Sequence, residues 1–367
     1  MRCVAPTGRV VQPVSYPRGE VRASDFRVVT VEVRPPGPGE VLVRNTWTSV
    51  DAALRLRLRE RAPKGYFPAF LLEEPMDGIM TVGEVVESRA DGFAPGDTVW
   101  HASGWRDYAL VKAGTPALGG VGTLTKVDAR LAPPQAHLGP LGANGLTAYA
   151  GLFHVAGLRE GDVVWVSAAA GAVGSLVAQL AKIGGHRVIG SAGSDDKVRH
   201  LVADLGVDAA FNYKNGPLPD LLREAAPDGI DVYFDNVGGD HLEAALGALR
   251  RAGRVAICGM ISEYGAQEPP PGPGNLMLAV TKGLTIRGFR AGEHTDLLPE
   301  MRRRMGAWLH EGRIRHRESV VDGLAQAPAA LAALLRGENT GKTLVRIEDV
   351  PHRERQLPIR PPAALLN

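Results

Sequence analysis

The segment VVWVSAAAGAVGSLVAQLAK (163–182) decides the fold of this chain. Its apolar, β-branched start predicts a buried strand ending at Ser167, and an apolar stripe at helical spacing begins near Val173. Between them, Ala168, Gly171 and Gly174 form A-x-x-G-x-x-G, close to the G-x-G-x-x-G pattern whose backbone amides hold a pyrophosphate at a helix N-terminus. This context predicts a dinucleotide-binding turn. The alternative is a tight strand–helix turn in a nucleotide-free α/β fold.

Strands and helices alternate on both sides of this segment, from residue 144 to residue 312. Apolar patterning predicts helices at 145–158, 174–185, 196–206, 241–253 and 301–312, and strands at 162–169, 186–192, 209–213, 230–239, 254–260 and 284–289. Alternation with short connections is typical of a doubly wound α/β unit, in which helices cover both faces of a parallel sheet.

The N-terminal part is predicted to be rich in β-structure. Short alternating or β-branched runs, separated by Pro-Gly turns, predict strands at 28–36, 40–50, 83–88, 97–102 and 107–111. They suggest a partly open barrel or a curled sheet, which the strand GKTLV (341–345) is expected to rejoin. The predicted domains are therefore 1–143 completed by 313–350, then 144–312, and a Pro-rich extension at 351–367.

Composition and charge exclude several classes of protein. The chain has 44% hydrophobic and 22% charged residues, which is ordinary for a globular protein. A net charge of +2 gives no strong field for nucleic acid or membrane, and no apolar run reaches the roughly 20 residues of a membrane helix. The N-terminus does not resemble a signal peptide. The two cysteines, Cys3 and Cys258, are too few for a disulfide framework or a thiolate metal site, so we expect a cytoplasmic protein.

The second predicted strand of the nucleotide-binding unit bears on the choice of cofactor. It runs into GSDDK (193–197), where small residues leave room for a 2′-phosphate and Lys197 can supply charge. Asp195 and Asp196 argue for NAD instead, unless they serve as N-terminal residues of the next helix. We predict NADPH.

Several blocks in a fixed order carry a family resemblance. AAAGAVGS (168–175), FNYK (211–214), DNVGG (235–239), ICGMIS-x-Y (257–264) and NTGKT (339–343) stand as they do in the prostaglandin reductase/alkenal double-bond reductase family. The chain resembles this zinc-independent branch of the medium-chain dehydrogenases/reductases over nearly its whole length. The resemblance implies a GroES-like β-rich catalytic domain with a Rossmann domain, NADPH as cofactor, a homodimer, and reduction of α,β-unsaturated aldehydes and ketones.

The resemblance also implies which residues hold the cofactor. The predicted set comprises Gly171, Ala172, Val173 and Gly174 at the pyrophosphate, Lys197 and Tyr213 at the 2′-phosphate, Asn236, Cys258, Gly259, Ser262, Tyr264 and Phe289 along the ribose and nicotinamide, and Asn339 from the returning segment. Other interpretations remain open for three of them. Tyr213 could cap a strand, Asn236 could be a turn residue, and Cys258 could be a small buried hydrophobe.

The expected chemistry is conjugate reduction without a metal. Neither cysteine lies at the spacing of a zinc site, so another group must stabilise the negative charge that develops on the substrate carbonyl oxygen. Tyr264 is the predicted catalytic residue because its phenol can hydrogen-bond that oxygen or relay a proton. The nicotinamide ribose hydroxyl is a rival donor, and Tyr264 could instead pack in a loop.

The predicted substrate pocket departs from the family pattern. SVDAALR (49–55) has Ala52 and Ala53 where the family has Pro-Tyr, so a ring and a hydroxyl are missing and a bulkier substrate is expected. Asp51, Ala53, Trp105 and Tyr264 are the predicted pocket residues, although core packing would equally explain Trp105.

Arginines also alternate at positions 55, 57, 59 and 61. They could receive an anionic or acyl-carrier-bound substrate, or form a solvated face.

Two other functions stay open at this stage. Hydride addition to a conjugated polyene could trigger ring closure, or the chain could bind NADPH without being an enzyme. The expected homodimer would form through the strands at 254–260 and 284–289, which could continue the sheet across a two-fold axis.

Overall fold

A computed structural model describes residues 7–116, 122–268 and 270–347. The predictions for Cys3 and for the extension at 351–367 lie outside these residues.

The N-terminal part consists of short, mostly antiparallel strands. They are β1 (Thr7–Pro13), β2 (Phe26–Glu32), β3 (Glu40–Ser49), β4 (Thr81–Ser88), β5 (Thr98–His101), β6 (Tyr108–Lys112) and β7 (Thr125–Lys126). β1 pairs with β2, while β3 to β7 belong to a larger curved sheet. Five of these strands were predicted. β1 and the two-residue β7 were not, because neither alternates clearly between apolar and polar residues.

The middle of the chain alternates strands and helices. In order they are α1 (Ala143–Tyr149, continued by a π-helical turn Ala150–Val155), β8 (Val163–Val166), α2 (Ala172–Ile183), β9 (Arg187–Ala192), α3 (Asp195–Arg199, continued by a π-helical turn His200–Asp204), β10 (Ala209–Asn212), α4 (Leu218–Ala225), β11 (Ile230–Asp235), α5 (Gly239–Ala248), β12 (Leu249–Ile257), α6 (Met277–Lys282), β13 (Thr285–Gly288) and α7 (Leu298–His310). The six strands are parallel, in the order β10-β9-β8-β11-β12-β13. This confirms the doubly wound α/β unit.

The last elements return to the N-terminal part. They are β14 (Glu318–Asp322), α8 (Ala327–Leu335) and β15 (Lys342–Arg346). β15 pairs antiparallel with β3 and parallel with β14, which completes a seven-stranded sheet. Short 3₁₀ helices occupy Ala23–Asp25, Ala52–Arg57, Pro134–Leu138, Ile261–Glu263, Ala291–Leu297 and Leu324–Gln326.

One predicted helix was wrong at its C-terminal end. The interpretation of 241–253 as helical fails after Ala248, where β12 begins. Ala252 has a φ of +57°, which a right-handed helix does not allow. Arg250 donates from its guanidinium to the Asp228 carbonyl and to the Asp231 carboxylate on the loop and strand beside it. These cross-strand contacts hold the chain extended, and helical periodicity in the sequence does not report them.

The core of the parallel sheet explains its unbroken apolar strands. Trp165 of β8 is fully buried and stacks on Tyr233 of β11, with ring centroids 4.4 Å apart. Strands covered on both faces carry apolar side chains in both directions, so they read as continuous runs rather than alternating ones. Among the described residues, no helix is long and apolar enough to cross a membrane.

Candidate functional site

A cavity of about 1110 Å³ lies between the parallel sheet and the curved sheet. It is lined by the residues that follow β8, β9, β11 and β12, at the carboxyl edge of the parallel sheet, and by residues that follow β3 and precede β15. This edge is where doubly wound sheets bind ligands. The volume exceeds the roughly 300–1,000 Å³ of ordinary small-molecule pockets, so it can admit a large dinucleotide together with a second molecule.

The structure brings nearly all predicted site residues to this one cavity. Its lining includes Asp51, Ala53, Gly171, Ala172, Val173, Gly174, Lys197, Tyr213, Asn236, Cys258, Gly259, Ser262, Tyr264, Phe289 and Asn339. They come from segments up to 288 residues apart in sequence. Their individual functions stay predictions.

Trp105 is the exception, and the pocket interpretation of this residue was wrong. Its side chain is fully buried in the core of the N-terminal part, with Leu54 and Phe26 among that core's members. The indole N–H donates to the Ser49 carbonyl at 3.1 Å. Its hydrogen bond and its apolar surface are both satisfied inside the domain, so the ring does not face the cavity.

The turn after β8 is shaped by close backbone packing. Ala168 has a φ of +46°, and a Cβ on Gly174 would lie 2.4 Å from the Ala168 carbonyl oxygen. Only a glycine allows the first turn of α2 to pack this tightly against the end of β8. The result is a helix of twelve residues whose free N-terminal amides open into the cavity, as an anionic diphosphate requires.

Two lysines line the far end of the cavity. Lys197 donates from Nζ to the Gly337 carbonyl at 2.6 Å, and no carboxylate pairs with either Lys197 or Lys214 within the described ranges. Burial, and then the charge of Lys214, lower the pKa of Lys197. Two cations that repel each other without a compensating acid form a site for a multiply charged anion.

The two aspartates that argued for NAD, Asp195 and Asp196, do not line the cavity. Asp195 and Asp196 are the first residues of α3, after the N-cap Ser194. Hydrogen bonds from Asn212 and Asn215 lower the pKa of Asp195. Asp196 pairs with Arg199. Both therefore act as N-terminal helix residues, which removes the main argument for a ribose-binding acid here.

The loop after β11 is held by a buried carboxylate. Asp235 Oδ1 accepts hydrogen bonds from the Tyr233 phenol and from the backbone N–H groups of Val237 and Gly238. Asn236 donates from Nδ2 to the Ser167 carbonyl at 2.7 Å. Asn236 is thus a structural tie between β8 and β11 as well as a lining residue.

Cys258 is a neutral thiol. Burial, and next the Asp235 carboxylate, raise its pKa to about 12. Thiolate chemistry is therefore unavailable at neutral pH, and the side chain contributes apolar surface.

Two phenols, those of Tyr66 and Tyr264, line the cavity. Burial is the largest cause that raises the pKa of Tyr264, and Tyr66 adds to it. Burial likewise raises the pKa of Tyr66 to about 12, with Cys258 and Asp51 as further causes. In the described part of the chain, neither hydroxyl donates a hydrogen bond to a protein acceptor. Both are therefore protonated donors available to a bound molecule.

The sequence did not identify Tyr66 as a residue of the site. It lies in KGYFPAF (64–70), where its ring meets the edge of the Phe67 ring with centroids 4.7 Å apart. The available signal was an aromatic pair inside a Pro- and Gly-containing loop, where core packing would not call for it. Tyr66 therefore gives the cavity an aromatic hydroxyl, although Ala52 and Ala53 stand where the family has Pro-Tyr.

A buried ion pair joins the first residue of β15 to the segment that follows β3. Lys342 donates from Nζ to Asp51 Oδ1 and to Ser49 Oγ, each at 2.6 Å, and the side chains of Lys342 and Asp51 are only 4% and 12% exposed. The Ser49 hydroxyl in turn contacts the other oxygen of Asp51. Asp51 thus faces the cavity with its charge already neutralised.

No cluster of three or more His, Cys, Asp or Glu side chains that could hold a metal ion occurs in residues 7–116, 122–268 and 270–347.

Comparison with known proteins gives consistent matches. Residues 9–117 match the family model of the N-terminal domain of oxidoreductase, and residues 172–307 match that of zinc-binding dehydrogenase. The chain is 38% identical to the putative NADP-dependent oxidoreductase YfmJ of Bacillus subtilis, over 92% of this chain and 97% of that protein. It is also 38% identical to a 2-alkenal reductase (NADP(+)-dependent) of Nicotiana tabacum, over 91% and 95%. The crystal structure of CurA in complex with NADPH from Vibrio vulnificus superposes with a TM-score of 0.85 at 34% identity, over 93% and 99%.

We expect Lys342→Met to destabilise the protein strongly, because it leaves the Asp51 carboxylate buried without its partner. Removing one member of a buried pair costs about 3–5 kcal/mol, whereas Lys182→Met, which breaks the half-exposed pair with Asp208, should cost about 1 kcal/mol or less. Thermal denaturation compares the two variants. Adding Asp51→Leu to Lys342→Met should recover part of the loss, and equal melting temperatures for the two lysine variants would contradict the interpretation.

Proposed function

Because the chain belongs to the medium-chain dehydrogenase/reductase family, in the branch of the NADP-dependent alkenal and prostaglandin reductases, we propose that it is an NADPH-dependent reductase. It would deliver hydride to the β-carbon of an activated C=C bond in a fairly bulky enone or enal, without a metal. The observation that carries this proposal is a single cavity with two unpaired lysines at one end and two protonated phenols at the other.

The residues present fit NADPH. The glycine turn accommodates a diphosphate, and Lys197, Lys214 and Tyr213 surround the place that a 2′-phosphate would take. Two buried polar atoms without partners, Asn144 Oδ1 and Thr343 Oγ1, belong to lining residues, and a carboxamide offers both a donor and an acceptor. When bound, the reduced nicotinamide supplies a hydride.

The chain's own contribution would be to orient the substrate and to stabilise negative charge on its carbonyl oxygen. Tyr264 and Tyr66 would supply neutral O–H donors, whose hydrogen bonds strengthen as negative charge develops on the substrate oxygen. Asp51 is neutralised by Lys342 and does not oppose that charge. Two phenols in place of a Lewis acid support a metal-independent reaction.

The small residues Ala52 and Ala53 support a bulky substrate. Both line the cavity, and they leave open a volume that a larger side chain would fill. Residues 1–143 and 313–350 would bind this substrate, while 144–312 would bind the cofactor. With two cysteines and no disulfide framework, we place the enzyme in the cytoplasm.

A second copy of the chain would pair through β13. This strand is an edge of the parallel sheet, and beside it Leu276, Met277 and Val280 of the preceding segment and α6 are 53%, 69% and 76% exposed. An unpaired edge next to exposed apolar side chains is typical of a surface covered by another chain. A two-fold axis would join the two sheets into one.

Replacing both phosphate-binding lysines should change cofactor preference. In Lys197→Ala/Lys214→Ala, we expect KM for NADPH to rise about tenfold or more, since a charge-assisted hydrogen bond contributes roughly 1.5–3 kcal/mol. KM for NADH, which has no 2′-phosphate, should change little. Steady-state kinetics with both cofactors measures this, and an equal loss for NADH would refute the assignment of the site.

Removing the hydroxyl groups of Tyr264 and Tyr66 tests their contribution to the reduction of enones. Wild-type protein should consume NADPH with a panel of enones, and Tyr264→Phe should lower kcat about 10²-fold, the usual loss of an oxyanion donor. Tyr66→Phe should act in the same direction. Tyr16→Phe is the matched control, because its hydroxyl donates to the Phe70 carbonyl and does not line the cavity.

Each alternative function has its own outcome in this experiment. NADPH binding without consumption would identify a non-enzymatic binding protein. A product with an additional ring would identify the reductive cyclase. An unchanged rate in Tyr264→Phe/Tyr66→Phe would leave the ribose hydroxyl as the donor.

The molecular mass of the protein in solution tests whether two chains form a dimer. Sedimentation should give twice the 39.0 kDa of the chain, and Met277→Asp/Val280→Asp should give monomers, because charges would be buried without partners. Val202→Asp, at a comparable exposed apolar position (46%) on a different surface, should stay dimeric. A wild-type monomer at every concentration would exclude the interface.

A further inference from the structure

The alternating arginines at positions 55, 57, 59 and 61, which begin within the 3₁₀ helix Ala52–Arg57, do not form one solvated face. Arg55 and Arg57 are 3% and 4% exposed. Arg55 donates to the carbonyls of Leu58, Pro17 and Gly19. The guanidinium of Arg57 lies 3.7 Å from the centre of the Phe70 ring and donates to the Pro68 carbonyl. These contacts engage both side chains in holding the loop.

Arg59 has a different environment. It lines the cavity, and its Nη2 donates to the Tyr264 backbone carbonyl at 2.8 Å. Its Nε is buried without a hydrogen-bond partner, and no carboxylate lies within ion-pair distance of it in the described ranges. The cavity therefore contains a guanidinium whose charge is uncompensated by the protein.

The neighbouring charged residues do not supply the missing partner. Arg290 also lines the cavity, but it is paired with Glu293 and donates to the Gly65 carbonyl. Glu263 and Glu268 belong to the lining without pairing with Arg59. Asp51 is bound to Lys342. Arg59 is thus the cation of this wall that is left available to a ligand.

The negative charges of the cofactor do not supply a partner for Arg59 either. Under the proposed function, the negative charges of NADPH lie at the glycine turn and at Lys197 and Lys214, and a reduced nicotinamide is uncharged. Arg59 instead contacts the backbone of Tyr264, whose phenol would face the substrate oxygen. A cation at this place serves the second molecule in the cavity.

We propose that Arg59 binds a carboxylate of the substrate, so that the preferred substrates are enones or enals that carry a carboxylate on an apolar chain or ring. The inference rests on the proposed function and names its substrate class. A planar guanidinium presents paired N–H donors that match the two oxygens of a carboxylate. The carbonyl of Tyr264 holds one edge of the guanidinium, which orients the remaining donors before the ligand arrives.

The rest of the wall suits such a molecule. Leu56, Tyr66 and Phe67 line the cavity close to Arg59 in sequence and give apolar contact for the hydrocarbon part. Ala52 and Ala53 leave room for its length. Charge recognition would then fix one end of the substrate while the phenols bind the carbonyl at the other.

The experiment uses matched pairs of enone acids and their methyl esters, in a series of chain lengths, with full-length protein and NADPH. We expect kcat/KM of wild-type protein to favour the acid about tenfold or more at the best length. Arg59→Gln should abolish this acid-to-ester preference, mainly through KM for the acid. Arg59→Lys should retain part of it, since the charge stays but the fork is lost.

Arg61→Gln is the control, because Arg61 is exposed and outside the cavity lining; its acid-to-ester preference should equal that of wild type. Calorimetric titration of a saturated carboxylic acid of the best length, a product analogue, gives a readout without turnover: it should bind wild type and bind Arg59→Gln at least tenfold more weakly.

Two results would overturn the inference. One is the absence of an acid preference in wild-type protein at every chain length. The other is an equal loss for acid and ester in Arg59→Gln, which would make Arg59 only a support for the Tyr264 loop. Failure of the proposed function is a different result, since neither member of any pair would then lead to NADPH consumption.

Discussion

The start of β15, at Gly341 and Lys342, is the feature on which the site depends, because it contacts both sides of the cavity at once. The Gly341 N–H donates to the Ala170 carbonyl in the glycine turn, and the next residue, Lys342, is buried against Asp51 and Ser49 at the end of β3. A Cβ at Gly341 would lie 1.9 Å from the Arg317 carbonyl oxygen, so only glycine lets the chain pass. The turn that would hold a diphosphate and the residues that would face a substrate are thereby fixed relative to each other by two consecutive residues.

This arrangement also separates the charges of the cavity. At one end, two lysines without acids attract a polyanion. Towards the other end, Asp51 is neutralised by Lys342, and the phenols of Tyr66 and Tyr264 stay protonated because burial raises the pKa of each. Ionisation of either phenol would create a charge that is buried away from water, which is costly. The surroundings of the two phenols therefore offer neutral O–H donors and no free Asp51 charge, as stabilisation of a developing oxyanion requires.

The sequence predicted the fold well, and it identified the residues of the glycine turn that line the cavity, for physical reasons. The strand, the small-residue turn and helix α2 are contiguous, so local steric demands appear directly as residue choices at Ala168, Gly171 and Gly174. The extent of β12 and the place of Trp105 were wrong because both depend on distant partners: Arg250 reaches another strand, and the Trp105 indole reaches the Ser49 carbonyl. Lys342 and Tyr66 were missed for the same reason, since their surroundings exist only after the chain has folded.

The arginines at positions 55, 57 and 59 differ in their environments, although they lie close together in the sequence. A guanidinium can be buried when backbone carbonyls and aromatic faces satisfy it, as at Arg55 and Arg57, because dispersed charge and several donors reduce the cost of desolvation. Arg59 has one carbonyl and a buried Nε without a partner, so its environment is incomplete in the protein alone. An incomplete polar environment inside a ligand cavity is a stronger argument for a bound anion than the number of arginines in the run, because the number says nothing about which of them are already satisfied.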